Sequence, residues 1–413
     1  MAPIRFQADA LASVLPPGGL TLVSSCSAES ALLADAVMAA GDALGAMTFS
    51  GIFVPGLNRR TWLANPQCRV LTFFMTPPLR EAGEAVEFLP LCYADIRTVL
   101  RARAPSAALF MVSPPDAQGN CSFGTQVDFI ADMWRDIPCR IAHINPAMPA
   151  TPGDPGIAFA ELTGFIEAEQ PLLGMDEGPA DAAALAIAGH IAPFVTDSAT
   201  LQTGLGKIPG AVLRALTGRR NLRVHSGLIG DGILDLIDAG AMAKGASATV
   251  GVAIGSRRLY DAVGRAPFQF RPVSVTHNPR SIAGPDRLVT INSAIEVDLL
   301  GQGFAELTGK GLMSGPGGAS DFSRCARMGD GIRVVALPAS AAGGTISRIV
   351  APGEGSGPVS LGRMDIDVIV TEHGAADLRG RGYADRARAL VALAPPDHRA
   401  RLETAWEDYA RRL

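Results

Sequence analysis

Leu201-Gln202-Thr203-Gly204-Leu205-Gly206-Lys207-Ile208-Pro209 carries a strand-like run into a turn with two glycines and on into the helical pattern 211–216. Glycine has no Cβ, so the backbone N–H groups at such a helix start lie open to an anion or a carbonyl oxygen. The same spelling also makes an ordinary tight turn, so its meaning depends on what surrounds it. Outward from it, β-rich runs read as buried strands at 20–25, 47–54, 69–75, 107–112 and 140–145. They recur at 249–254, 288–292, 333–337 and 366–371, with helical segments such as 28–40 and 180–194 between strands. This alternation predicts an α/β fold with mainly parallel sheets.

A chain of 413 residues is too long for one ordinary core, so two domains are expected. A stretch rich in proline and glycine, 146–155, precedes a weakly periodic segment, and the boundary is placed within 175–182. The domains are then 1–178 and 179–413, and the second opens on a helix with Asp181 near its start and Pro193 near its end. Hydrophobic residues at 48% against 18% charged residues fit extensive buried structure and exclude a disordered chain. The net charge of −4 comes without any long basic run, which argues against nucleic acid as a partner.

Six scattered cysteines, without a Cys-x-x-Cys pair, suggest neither a disulfide framework nor a metal site. They read as buried thiols of a reducing cytoplasm. The first residues show no export signal, and no apolar run is long enough to span a bilayer, so a soluble protein is expected.

Four further places could carry chemistry. In Ser314-Gly315-Pro316-Gly317-Gly318-Ala319-Ser320-Asp321-Phe322, three glycines around a proline make a loop that lets a ligand approach main-chain amides, or else a crowded turn. Thr371-Glu372-His373-Gly374 follows an apolar strand, which puts Glu372 at a strand's carboxyl end; the plainer reading pairs it with Arg379. His225 reads as a core histidine by default, and Glu296, between Ile295 and Val297, as a partner for buried backbone or arginine. No nucleophile elbow, zinc-protease helix or P-loop is spelled anywhere.

In chain order, Ser113-Pro-Pro-Asp-Ala-Gln-Gly119, Ile144-Asn-Pro-Ala-Met-Pro149, the Gln202 loop, 224–240, Thr276-His-Asn-Pro279, 291–302, 315–322 and 370–380 resemble the acetyl-CoA hydrolase/CoA-transferase family. That family includes 4-hydroxybutyrate and succinyl-CoA:acetate CoA-transferases. The resemblance implies the two-domain fold of family I CoA-transferases and a site for coenzyme A or acyl-CoA, without a metal. It further implies a small carboxylate as reaction partner, and a symmetric homodimer is the ordinary expectation for a cytoplasmic protein of this type. In the family a glutamate attacks the acyl-CoA thioester and later carries CoA itself, which is covalent nucleophilic catalysis. By residue matching, Gly204, Leu205, Gly206, Lys207 and Ile208 would contact CoA together with Gly315, Gly317 and Gly318. Gly317 would donate to the oxyanion, while Asn278 and Glu372 would orient the acyl and carboxylate groups.

Two positions depart from the family pattern. Where the family reads His-Thr-Glu before an Asp-Gly pair, this chain reads His225-Ser226-Gly227 before Asp231-Gly232, so glycine stands at the nucleophile's position. Ser340-Ala341-Ala342-Gly343-Gly344-Thr345 lacks the lysine that relatives carry near CoA. Three readings follow. The chain hydrolyses thioesters with a water held by Glu372 or Glu296, or it binds acyl-CoA without turnover, or it transfers CoA with a borrowed carboxylate.

Overall fold

Strands apolar on both faces bury themselves in parallel sheets covered by helices. The computed structural model, which describes residues 2–413 apart from 286 and 310, builds this arrangement twice. The chain divides into two compact units, one of Met1–Asp176 with Ala248–Asn278 and the other of Glu177–Ser247 with Pro279–Leu413.

The large sheet of the first unit has eight strands: β1 (Ile4–Arg5), β2 (Leu20–Val23), β3 (Thr48–Gly51), β4 (Arg69–Thr72), β5 (Val86–Phe88), β6 (Ala107–Val112), β7 (Cys139–Ile144) and β8 (Gly164–Glu167). Their order is β1-β8-β7-β6-β2-β3-β4-β5, with every pairing parallel. All residues of β2 and β6 are buried, as continuous apolar runs in a central position require. Helix α1 (Ala31–Ala40) begins where the Ser30 hydroxyl accepts from Leu33 N, a side-chain N-cap. The segments Ala248–Ala253 and Phe268–Phe270 form a further parallel pair in this unit.

The second unit opens on α2 (Ala182–Ile191), capped by Asp181, whose side chain accepts from Ala184 N at 2.9 Å. The strands it gives to its large sheet are β9 (Thr200–Thr203), β10 (Arg223–Ile229), β11 (Leu288–Ser293), β12 (Ile332–Ala336), β13 (Val368–Thr371) and β14 (Gly374–Asp377), in the order β10-β9-β11-β12-β13-β14. The pairings shown are parallel except β13 with β14, a hairpin. Helices α3 (Lys207–Ala215), α4 (Gly232–Asp238) and α5 (Ala319–Ala326) follow β9, follow β10 and precede β12. Val297, Leu299, Val335, Leu337 and Ile369 share one buried core.

Every strand expected from sequence is found, with ends that differ by up to three residues. Where the expected division lies after 178, the two units part after Asp176, and Ala248–Asn278 packs with the first. Strands β5, β8, β14 and Phe268–Phe270 were not expected. They are short, and β14 is spelled Gly-Ala-Ala-Asp, with no β-former; it exists because the turn after β13 returns it to a waiting edge. No helix of the described residues is long and apolar enough to cross a membrane.

Candidate functional site

In an open parallel sheet, ligands meet the carboxyl ends of strands where the chain reverses its direction of travel across the sheet. In the second unit that point lies between β9 and β11, since the chain goes from β9 to β10 on one side and from β11 to β12 and β13 on the other. Gln202 and Asn292 mark it. Their buried amides exchange two hydrogen bonds, Gln202 Nε2 to Asn292 Oδ1 at 3.2 Å and Asn292 Nδ2 to Gln202 Oε1 at 3.1 Å. Each amide keeps a second N–H and further lone pairs, so the pair locks the two strand ends without exhausting its polar capacity.

The loop 204–208 leaves β9 at this point and becomes the first turn of α3. Gly206 holds φ +115°, a backbone that a side chain would strain, and its N–H donates to Glu177 Oε1 at 2.8 Å. Lys207 Nζ lies 3.8 Å from Asp181 Oδ2.

On the neighbouring strand β10 stand Ser226 and Gly227. The Ser226 hydroxyl is buried and donates to the Thr203 carbonyl at 2.9 Å, which ties β10 to β9. His225 meets the edge of Phe322, ring centroids 6.3 Å apart, and so brings α5 beside β10. The loop with Gly315, Gly317 at φ +62° and Gly318 leads into that helix, and Phe322 N donates back to the Gly318 carbonyl. The fold thus brings together the 204–208 loop, the strand of Gly227 and the helix that the 315–318 loop opens.

Glu372 follows β13, at the carboxyl edge as expected, but three places from β9 in the sheet. Its Oε2 accepts from Ala339 N at 2.8 Å, and Arg379 pairs with Asp377 at 2.7 Å instead. Glu296 accepts from Ser356 N and, through its other oxygen, from the Ser356 hydroxyl, which fits the reading of a partner for backbone. Asn278 belongs to the first unit and the other matched residues to the second. At 340–345 the backbone is left-handed at Ala342, Gly343 and Gly344.

The first unit carries a polar cluster that the sequence reading missed. Its direction reverses between β2 and β6, and the run Ser24-Ser25-Cys26-Ser27-Ala28-Glu29-Ser30 leaves β2 there, entirely buried. Cys26 at φ +49° and Asp128 at φ +30° hold conformations costly for residues with a Cβ. Asn58 donates to Glu29 and to the Cys26 carbonyl, and the Tyr93 hydroxyl donates to Asp128 at 3.3 Å, while Asp128 Oδ1 is buried with no partner. Tyr93 stacks on His277 with centroids 4.4 Å apart.

Burial pushes the Asp128 carboxyl up to about 8 and that of Glu29 to about 7, and raises the Cys26 thiol and Tyr93 phenol well above their ordinary ranges. A cavity of about 30 Å³, room for about one water, lies beside it against Ser25, Gln126 and Phe129. Five polar residues in seven after an apolar strand was the available signal, since a polar run at a strand's carboxyl end must be hydrogen-bonded to be buried.

Comparison with known proteins finds similarity to CoA-transferases and acetyl-CoA hydrolases. Residues 255–406 match the acetyl-CoA hydrolase/transferase C-terminal domain. The chain is 35% identical over 326 residues to 4-hydroxybutyrate coenzyme A transferase of Clostridium kluyveri, which covers 76% of each chain. It is 34% identical over 332 residues to succinyl-CoA:acetate/propanoyl-CoA:succinate CoA transferase of Fasciola hepatica, covering 77% of this chain and 69% of that one. Among solved structures, 4-hydroxybutyrate CoA-transferase of Porphyromonas gingivalis superposes with a TM-score of 0.81 at 30% identity, covering 99% of this chain and 98% of that one. RipA of Yersinia pestis superposes with a TM-score of 0.86 at 26% identity, covering 98% and 97%.

Proposed function

The chain belongs to the acetyl-CoA hydrolase/CoA-transferase family, and from that premise we propose that it takes an acyl-CoA and cleaves or transfers its thioester without a glutamyl-CoA intermediate. One observation carries this reading. Gly227 lies on β10, where the family resemblance puts the attacking glutamate, and its neighbour Ser226 is committed to the Thr203 carbonyl. No carboxylate stands at that position.

Acyl transfer to water needs only a base and an oxyanion donor. Glu372 suits the base better than Glu296, because one Glu372 oxygen accepts from Ala339 N whereas both Glu296 oxygens accept from Ser356. Gly317 is the proposed oxyanion donor, Asn278 the proposed partner of the acyl group, and 204–208 with 315–318 the proposed CoA contacts. A cytoplasmic homodimer is the proposed setting and no metal is assigned a part. The second reading, an acyl-CoA binding protein without turnover, is favoured by the same glycine.

Release of free CoA from acetyl-, succinyl- or butyryl-CoA in the absence of a carboxylate acceptor separates the two. We expect acceptor-independent release that falls at least about a hundredfold in Glu372→Gln, the lower end for loss of a positioned base. Saturable binding with no release in the wild type moves the protein to the second reading, and exchange that requires an acceptor restores a transferase.

The missing lysine at 340–345 makes a further expectation. Ala342 already holds φ +49°, so lysine there adds no backbone strain beyond that of alanine. One charge-assisted bond to a CoA phosphate is worth about 1.5–3 kcal/mol, so Ala342→Lys is expected to tighten CoA roughly tenfold or more by calorimetry. Unchanged affinity removes this loop from the CoA contacts.

A further inference from the structure

Ahead of α2 runs Asp176-Glu177-Gly178-Pro179-Ala180-Asp181, with three acids in six residues. Two of them touch the two groups of the 204–208 loop that an anion would seek. Glu177 Oε1 accepts from Gly206 N at 2.8 Å, and Asp181 Oδ2 lies 3.8 Å from Lys207 Nζ. Room for the Glu177 carboxylate exists because two of its neighbours lack side chains. A Cβ on Gly210 would come within 2.8 Å of Glu177 Oε2, and one on Gly230 within 2.9 Å of Oε1.

Gly210 is an interior residue of α3, where glycine weakens a helix. Its Cα is approached by α4, whose first residue is also a glycine: a Cβ on Gly232 would lie 3.1 Å from Gly210 Cα. Gly230 stands outside any helix, and the atom nearest to a Cβ there is the Glu177 carboxylate oxygen itself. The cradle is therefore shaped around a carboxylate that belongs to the chain itself.

We infer that residues 177–181 form a strap that occupies the 204–208 loop as an internal anion and must leave before an anionic ligand, such as the phosphates of an acyl-CoA, engages Gly206 and Lys207. The inference rests on the proposed assignment of that loop to CoA. The two contacts differ in strength. Lys207 and Asp181 are half exposed, so their pair holds little by itself, whereas the carboxylate on Gly206 N–H sits at the positive end of α3 in a partly buried place. Tethering raises the effective concentration of the internal anion, and the apparent affinity of any competitor falls by the fraction of chains with the strap displaced. Gly178, at φ +64° before Pro179, sits between the two contacts as the turn from which the strap would swing.

The test uses the full chain and titrates inorganic pyrophosphate and CoA by calorimetry. Glu177→Gln combined with Asp181→Asn removes both charges while keeping side-chain size and the cap on Ala184 N, which asparagine serves as well as aspartate. The double variant is expected to bind both ligands about tenfold tighter than wild type, with a gap that narrows as salt rises. Glu177→Ala, checked for folding by near-ultraviolet circular dichroism, is expected to move the same way; a merely structural contact would move affinity down or leave it unchanged. No gain for either ligand overturns the strap. A gain for pyrophosphate alone keeps the strap and removes CoA from the loop, and a gain for CoA supports both.

Discussion

Incubated with acetyl-, succinyl- or butyryl-CoA and then treated with borohydride, the wild-type chain is expected to keep its unmodified mass, with no glutamate reduced and no CoA attached. A glutamyl thioester needs a carboxylate within bonding reach of the substrate carbonyl, and Gly227 offers none. Residues adjacent on a strand point to opposite faces, so on β10 the Ser226 side chain leaves the face that residue 227 would present. Its hydroxyl is also spent on the Thr203 carbonyl. Gly227→Glu returns a carboxylate to that face and is expected to restore acceptor-dependent exchange together with a CoA adduct. Removing the attacking residue of a covalent enzyme costs on the order of 10⁴–10⁶ in turnover, so wild-type exchange should lie at least about 10⁴-fold below that of a competent variant. A CoA adduct on the wild-type chain would sink this reading and point to Glu296 or Glu372 as the attacking group.

The second large effect concerns pH and the first unit. Asp128 and Glu29 are buried, and desolvation raises their carboxyls from ordinary values of 3.8 and 4.5 to about 8 and about 7. For Asp128 the Tyr93 hydrogen bond opposes the rise and Asp132 adds to it; for Glu29 the bond from Asn58 and the charge of Arg60 oppose it. The other ionisable groups coupled to the pair, Cys26 and Tyr93, are themselves pushed up and stay neutral.

A carboxyl whose folded pKa lies above its unfolded value supports the fold fully only below the unfolded value. That support is lost as pH rises through the folded one. The urea midpoint is therefore expected to fall between about pH 4 and about pH 8, where the unfolded chain has released protons that the folded chain still holds. Each tenfold change in proton affinity is worth about 1.4 kcal/mol, so the two groups together contribute on the order of several kcal/mol. Asp128→Asn keeps the shape and removes the charge, so it should flatten most of this slope and raise stability at about pH 8. A midpoint independent of pH across that window, or a variant less stable than wild type at its alkaline end, would contradict the assignment.

The strand positions were legible because each core strand is an apolar run with its own local signature, such as Ala-Ala-Leu-Phe-Met-Val at 107–112. The N-cap at Asp181 was legible for the same reason, since a cap bonds only to its own helix. Glu372 at a carboxyl edge followed from the strand before it, yet its partner, Ala339 N, lies 33 residues away and no local pattern names it. The same holds for Glu177, whose carboxylate is received 29 residues later by Gly206 and shaped by glycines at 210 and 230.

By itself, then, the sequence determined the α/β class, the chain-order family resemblance and the absence of glutamate at 227, because these depend on residue identity and on periodicities of two to four residues. Only the tertiary structure decided that Ala248–Asn278 packs with the first unit, that Gln202 and Asn292 clasp the strand ends, that Cys26, Glu29, Asp128 and Tyr93 share one cluster, and that an acid of the chain already sits on the Gly206 amide. Those are contacts between residues far apart in the chain. They are set by which strands become neighbours and by the pairing of buried polar groups where they meet.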